Sequence, residues 1–159
     1  MKKHKDEISK PCTERYQALF QYASDAFILA NERDEILDVN QKACDLLGYT
    51  REELLSMHVP DLQAPEMRGE VGSVIKTEVE RHGGRAFESV DIRKDGTRIP
   101  VEVGISKFLY GDEKLVLSSI RDITERKRTE EKLREFQHQL EKTYAREQER
   151  RQLSDTLRE

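Results

Sequence analysis

Residues able to do nucleophilic, redox or metal chemistry are scarce in this chain: two cysteines and four histidines in 159 residues. Cys12 and Cys44 have neither a metal-knuckle spacing nor a disulfide framework, so both read as small buried or half-buried residues. His58 and His82 read as ordinary surface histidines, and His138, followed by Gln139 rather than an acidic residue, reads as a solvated helix position. No Ser/His/Asp order, paired-acid spacing or phosphate-cradling glycine loop is present, and Gly83-Gly84 stands alone. The chain therefore reads as non-catalytic in itself. A catalytic domain would have to lie beyond Glu159 or on another chain.

Composition narrows the class further. Hydrophobic residues make up 35% and charged residues 38%, against roughly 45–50% and 25% in an ordinary globular chain. The excess charge is local, because residues 121–159 hold 11 Lys/Arg and 10 Asp/Glu. A net charge of −4 offers no positive field to gather nucleic acid or an anionic membrane. No apolar run approaches the ~18–20 residues of a membrane span, and residues 1–10 lack the apolar core of a secretory signal. The chain is read as cytoplasmic, with neither a membrane span nor nucleic acid as a direct partner.

The elements that must position any site follow from periodicity. Residues 1–12 are polar and end at Pro11, which predicts a frayed or disordered N-terminus. From Thr13, a plausible N-cap, Tyr16, Leu19, Phe20 and Ala23 fall at helical spacing and predict a short amphipathic helix. The apolar runs 26–30 and 35–39, split by a polar turn, predict a strand hairpin. Asn40 then caps a helix that Gly48 stops, and Thr50 with Glu53 has capping-box spacing. Pro60 and Pro65 mark a loop, after which Met67, Val71, Val74, Ile75 and Val79 form one stripe of a helix over 66–81. Gly69 and Gly72 interrupt that stripe and make the helix the least rigid of the set. Strands over 86–93, 97–110 and 113–123 follow, joined by Lys94-Asp95-Gly96 and Gly111-Asp112 turns. In the middle strand Ile99, Val101, Val103 and Ile105 alternate with Arg98, Pro100, Glu102 and Gly104, so one face is buried. Strands segregated from helices in this way argue an α+β class, an antiparallel sheet with helices on one face.

Residues 125–159 contain neither Gly nor Pro, and Thr124 stands at an N-cap position. One helix of about 35 residues is predicted, with Leu133, Phe136 and Leu140 as a heptad-like seam that weakens past Tyr144. A helix this polar has little else to bury, so a homodimeric coiled coil is expected, with a solvated single helix as the alternative. The organisation expected is residues 1–12 as a tail, 13–123 as a domain with an N-terminal flanking helix, and 124–159 as an exported helix. The helix reaches Glu159 without a cap, which reads as a chain that continues.

Four segments in this order resemble the PAS sensor domains: Ile36-Leu37-Asp38-Val39-Asn40, then Leu47-Gly48-Tyr49-Thr50-Arg51-Glu52-Glu53-Leu54, then Arg93-Lys94-Asp95-Gly96-Thr97 with Ile99-Pro100-Val101-Glu102-Val103, and Ile120-Arg121-Asp122-Ile123-Thr124-Glu125-Arg126-Lys127. The resemblance covers residues 16–132. It implies a five-stranded antiparallel sheet of order 2-1-5-4-3 enclosing a small-molecule pocket. It also implies that Asp122, Ile123 and Thr124 form the junction passing the sheet's state to the following helix; simple helix capping is the competing account of the same residues.

By position in the family pattern, Phe27, Leu29, Ile75, Phe87, Val103 and Leu117 line the pocket, with Ser119 as a polar contact; each also serves as plain core. Haem-binding members use a histidine on the helix before the third strand, and residues 66–81 contain none. Covalent flavin photosensors need a cysteine in the short helix following the Gly-Tyr-Thr region, and residues 57–62 contain none. A non-covalent FAD or a small apolar ligand remains, the lack of any Trp counting somewhat against FAD by family analogy.

Residues 149–159 resemble the opening of the dimerisation helix of one class of sensor histidine kinase, where the pattern runs on to Leu-His-Asp. Here Arg158 follows Leu157 and cannot accept a phosphoryl group. A degenerate kinase helix and a chance likeness between Glu/Arg/Leu-rich helices both stay open. The resemblance implies a sensor of a ligand or redox cue feeding a downstream output domain or partner kinase, in a two-component system. The alternative is a ligand-free interaction or dimerisation module of a transcriptional regulator or diguanylate cyclase.

Overall fold

The computed structural model describes residues 6–69 and 86–158, with side chains from residue 12 onward. Residues 1–123 and 124–159 are two separate compact units, and each is described by itself.

The first unit opens with helix α1, Asp6–Gln21. It begins seven residues before Thr13, so residues 6–12 are helical rather than frayed. Pro11 withholds one backbone donor, but its fixed φ is compatible with a helix, so it weakens the segment by about 3 kcal/mol without forbidding it. Strands β1 (Ala26–Asn31) and β2 (Ile36–Val39) form the expected antiparallel hairpin. Its turn is held by Asn31 Oδ1, which accepts the N–H groups of Arg33 and Glu35 at 2.9 and 3.0 Å.

Helix α2 (Gln41–Leu47) is capped by Asn40 and closed by Gly48 at φ 77°, a left-handed conformation that glycine adopts without a Cβ penalty. Helix α3 (Arg51–Leu55) carries the predicted capping box. Thr50 Oγ1 accepts from Glu53 N–H at 3.2 Å, and Glu53 Oε2 accepts from Thr50 N–H at 2.9 Å. Two 3-10 turns, Val59–Leu62 and Pro65–Met67, occupy the proline-marked loop. Most of the helix expected over 66–81, including Val71, Gly72, Val74, Ile75 and Val79, lies outside the described residues, as do His82 and Gly83-Gly84.

Strands β3 (Phe87–Ile92), β4 (Arg98–Tyr110) and β5 (Glu113–Asp122) complete a five-stranded antiparallel sheet of order β2-β1-β5-β4-β3. Gly96 and Gly111 take the positive φ values, 86° and 62°, that their hairpin turns require. Register sorts the side chains into two faces. Ile28 lies opposite Ser118, Ile105 opposite Ser118, Val103 opposite Ile120, and Phe87 opposite Val103. These residues share the inner face, where Ile99, Val101, Val103 and Ile105 are buried as their alternation predicts. Ala43, Leu47, Leu54 and Leu62 cover that face and join the same core. Full burial of each large side chain contributes about 1.5–3 kcal/mol.

Asn40 ties three elements together. Completely buried, its Oδ1 accepts from Phe27 N–H at 2.8 Å and Ala43 N–H at 3.0 Å. Its Nδ2 donates to Phe20 O at 3.0 Å and Asp25 O at 2.9 Å. The amide's two donors and its acceptor oxygen thus join the end of α1, the start of β1 and the cap of α2.

The second unit is helix α4, Thr124–Thr156. Leu133, Phe136, Leu140 and Tyr144 are 56%, 63%, 60% and 66% exposed.

Asn40→Ala strands Phe27 N–H, Phe20 O and Asp25 O, whereas Ala43 N–H keeps the residue 40 carbonyl at 3.1 Å, so a loss of about 3–5 kcal/mol is expected by urea denaturation. Asn40→Asp keeps the acceptor side only and should fall between wild type and Asn40→Ala. A loss below about 1 kcal/mol for Asn40→Ala would show that the fold does not depend on this amide.

Candidate functional site

An open cavity of ≈ 710 Å³ lies where the β4–β5 ribbon runs on past β3. This volume is within the range of small-molecule sites, about 300–1,000 Å³. Its apolar wall includes Ala30, Ile105, Val116, Val59 and Pro60, and Ser118, Gln63, Arg68 and Lys107 supply polar groups. Each comes from a distinct local device. Strand register places Ala30 opposite Val116 and Ile105 opposite Ser118. Val59 and Pro60 come from the first 3-10 turn, which Val59 N–H ties to Asp34 O at 2.9 Å. Arg68 Nε donates to Gln63 O at 3.2 Å, and Lys114 pairs with Glu32 at 3.2 Å across the rim.

The pocket residues expected from sequence are divided by the same register. Phe27 lies opposite Ser119 and Leu29 opposite Leu117, and all four are on the face opposite Phe87 and Val103. None of these six lines the cavity, and Ile75 lies outside the described residues. Val116 and Ser118, one residue from Leu117 and Ser119, occupy the cavity wall, because a shift of one residue along a strand exchanges its faces. Phe27 instead stacks on Phe20 of α1, with ring centroids 6.1 Å apart. Ser119 Oγ lies 3.5 Å from Gly104 O, and a Cβ at residue 104 would stand 2.7 Å from that hydroxyl oxygen.

Cys44 is buried, and burial raises its thiol's pKa, which disfavours the nucleophilic thiolate. Cys12 is exposed on α1 rather than half-buried. His58 precedes the first 3-10 turn at the surface, with Nδ1 3.9 Å from Asp61. Among the described residues, no group of three or more His, Cys, Asp or Glu could hold a metal ion.

Sequence reasoning missed Ser89 and Asp91. They lie opposite Val101 and Ile99 and so share the inner face, 4% and 3% exposed. The alternation of β3 gave a contrary signal, since Val90 and Ile92 are its apolar pair and are only half-buried. Ser89 Oγ has no partner among the described residues. Burial alone pushes the Asp91 carboxyl up to about 7.

At the exit of the sheet, Ile123 is buried and donates its N–H to Pro100 O at 3.0 Å, tying the end of β5 to the start of β4. Asp122 pairs with Arg93 at 3.6 Å, and Arg121 makes a two-point contact with Asp25 at 3.2 and 2.9 Å. Thr124 is the first residue of α4.

Asp91 makes stability depend on pH. Its carboxyl titrates near 7 when folded and near about 3.9 when unfolded. Between those values the folded state holds a proton that the unfolded state has released, so stability falls as pH rises from about 4 to 7 and levels above. The full span is roughly 4 kcal/mol. Urea midpoints at pH 5 and pH 8 should converge in Asp91→Asn relative to wild type. An unchanged pH slope in the variant would show that Asp91 is not the titrating group.

The PAS domain family matches residues 24–125. The methyl sulfide methyltransferase-associated sensor of Methanosarcina acetivorans is 36% identical over 123 residues, which cover 76% of this chain and 12% of that protein. Sensor histidine kinase TmoS of Ectopseudomonas mendocina is 23% identical over 129 residues, 79% of this chain and 13% of its own length. The chain thus spans a small part of each relative. Among solved structures, the PAS domain of an HTR-like protein from Haloarcula marismortui superposes with a TM-score of 0.63 at 26% identity, covering 77% of this chain and 100% of that one. The sheet order, the helices over its inner face and these likenesses agree: the chain belongs to the PAS domain family.

Proposed function

We propose that this PAS domain is a cytoplasmic, non-catalytic sensory module that binds a small ligand against the inner face of its sheet and passes the bound state through Asp122, Ile123 and Thr124 into a dimeric α4. The output is a downstream domain or partner kinase of a two-component system. One observation carries this reading: β5 is followed by a buried, backbone-anchored Ile123, and the next residue opens a 33-residue helix whose apolar side chains have nothing to cover them within their own unit. A displacement of β5 by a ligand therefore reaches the helix through the single residue Ile123. Leu133, Phe136 and Leu140 are spaced to meet the same residues of a second copy.

The names of the two relatives, a sensor and a sensor histidine kinase, support the signalling context. No described helix is long and apolar enough to cross a membrane. Ligand-free interaction is the second reading, favoured by Phe108, Leu109 and Tyr110, which are 42%, 68% and 73% exposed near the β4–β5 turn.

Sedimentation of the full chain at high micromolar concentration should give a dimer. The triple variant Leu133→Glu, Phe136→Glu, Leu140→Glu should sediment as a monomer while the sheet domain melts unchanged. A wild-type monomer with α4 intact would sink the dimeric transmission. Native mass spectrometry with an absorbance spectrum should reveal a copurified small molecule without a Soret band. An empty protein that fails to bind any of a small-metabolite panel would favour the interaction module.

A further inference from the structure

Lys107 and Ser118 interrupt the apolar inner face of the sheet where it borders the cavity. In β4 the inner run Ile99, Val101, Val103 and Ile105 is broken by Lys107 before Leu109, and in β5 Ser118 stands between Val116 and Ile120. Register fixes where the two meet. Lys107 lies opposite Val116, which lies opposite Ala30; Ile105 lies opposite Ser118, which lies opposite Ile28. These adjacent rows form the cavity floor, with Ala30, Ile105, Lys107, Val116 and Ser118 all lining it. Ser118 is only 6% exposed, and its hydroxyl has no hydrogen bond among the described residues. Leaving a buried hydroxyl unpaired is costly, so a serine held in this state faces a place where an occupant supplies the partner.

Charge around the cavity decides the class of that occupant. Lys114 is taken up by Glu32 at 3.2 Å, whereas Arg68 spends one of its five donors on Gln63 O at 3.2 Å. The charges of Lys107 and Arg68 then stand against the single carboxylate of Asp34, on the β1–β2 turn. Residues 70–85 lie outside the described segments, and their Glu70, Glu78 and Glu80 equal Lys76, Arg81 and Arg85 in number, so they bring no net charge of their own. The excess is a single positive charge, which a monoanion balances and a dianion exceeds. Between the charged mouth and Ser118 the wall is apolar and suits an alkyl chain. Lys107 lies two residues beyond Ile105, about 7 Å along β4, a span that an extended six-carbon chain bridges. A lysine also blunts an open sheet edge, but that role explains neither Ser118 nor Arg68.

We propose that the cavity binds a small aliphatic monocarboxylate bearing a hydroxyl or carbonyl group several carbons from its acid. The carboxylate lies between Lys107 and Arg68, where hydrogen bonds assisted by charge orient it. Its chain lies on Val116, Ile105 and Val59, and its second polar group meets Ser118 Oγ. This assignment rests on the ligand-sensing reading and adds the class of ligand and the residues that select it.

The probe is ω-hydroxyhexanoate, titrated calorimetrically into the full chain at constant ionic strength, with hexanoate, hexanediol and ω-aminohexanol as comparison ligands. It should bind at least about tenfold more tightly than hexanediol. Lys107→Gln, at an exposed position, should keep the wild-type Tm and weaken ω-hydroxyhexanoate at least about tenfold while leaving hexanediol unchanged. Ser118→Ala should abolish the preference for ω-hydroxyhexanoate over hexanoate. A copurified carboxylic acid that is lost from Lys107→Gln would support the proposal equally. Equal affinity of wild type and Lys107→Gln, or of the acid and the diol, overturns it, and a preference that survives in Ser118→Ala overturns the role of that hydroxyl. Tighter binding of ω-aminohexanol would show that the carboxylates of the rim set the class, which overturns the anion and leaves the sensing reading standing. A copurified molecule without an acidic group, retained by Lys107→Gln, has the same consequence. A chain that binds none of the probes and carries no copurified molecule loses both readings.

Discussion

The buried amide of Asn40 is the constraint on which the rest of the first unit depends. One side chain satisfies the N–H at the start of β1, caps α2 and donates to one carbonyl near the end of α1 and one just before β1. Three chain segments with different directions must therefore meet at a single point, and their relative placement is set before any apolar packing is counted. Apolar burial is stronger in sum but has no direction, so it would tolerate a rotated α1 or a slipped β1. Hydrogen bonds to a completely buried amide would not, since every displacement strands a polar group away from water.

With β1 placed, the register of the sheet follows, and register decides which residues meet in the interior. Ala30, Ile105, Val116 and Ser118 become cavity wall, whereas Phe27, Leu29, Leu117 and Ser119 turn to the opposite face. The same parity turns Ser89 and Asp91 inward against the hydrophobic pattern of their own strand. The local order of β3 is overruled there, because pairing six residues with β4 is worth more than the exposure of Val90 and Ile92. Such a conflict between local pattern and global fold is the kind that natural proteins retain at sites of function.

Charge is distributed with the same economy. The first unit keeps its ion pairs at element ends, such as Arg121 with Asp25 and Lys94 with Glu53 at 2.5 Å. In α4 they run along the helix at three- and four-residue spacing, as in Arg134 with Glu131 and Arg151 with Glu147. Exposed pairs of this kind contribute only about 0.3–0.5 kcal/mol each. They keep a long helix soluble and leave its apolar residues as the available sticky surface.

Much of this was legible in the amino-acid order, because it depends on residues close together in the chain. The capping box at Thr50 and Glu53, the stop at Gly48, the turns at Gly96 and Gly111 and the burial of alternate residues in β4 are local events. Four ordered motifs were enough to identify the fold, and the concentration of charge after residue 121 marked the long helix Thr124–Thr156. Tertiary structure alone decided the inner and outer faces of β1, β3 and β5. A two-residue period states that alternate side chains share a face, but only pairing with the neighbouring strand states which face is inside. It also decided that Asn40 is a three-way tie rather than a cap alone, and that Asp91 is buried. The first depends on groups 13 to 20 residues away and the second on the pairing of β3 with β4, and neither is visible in the local order.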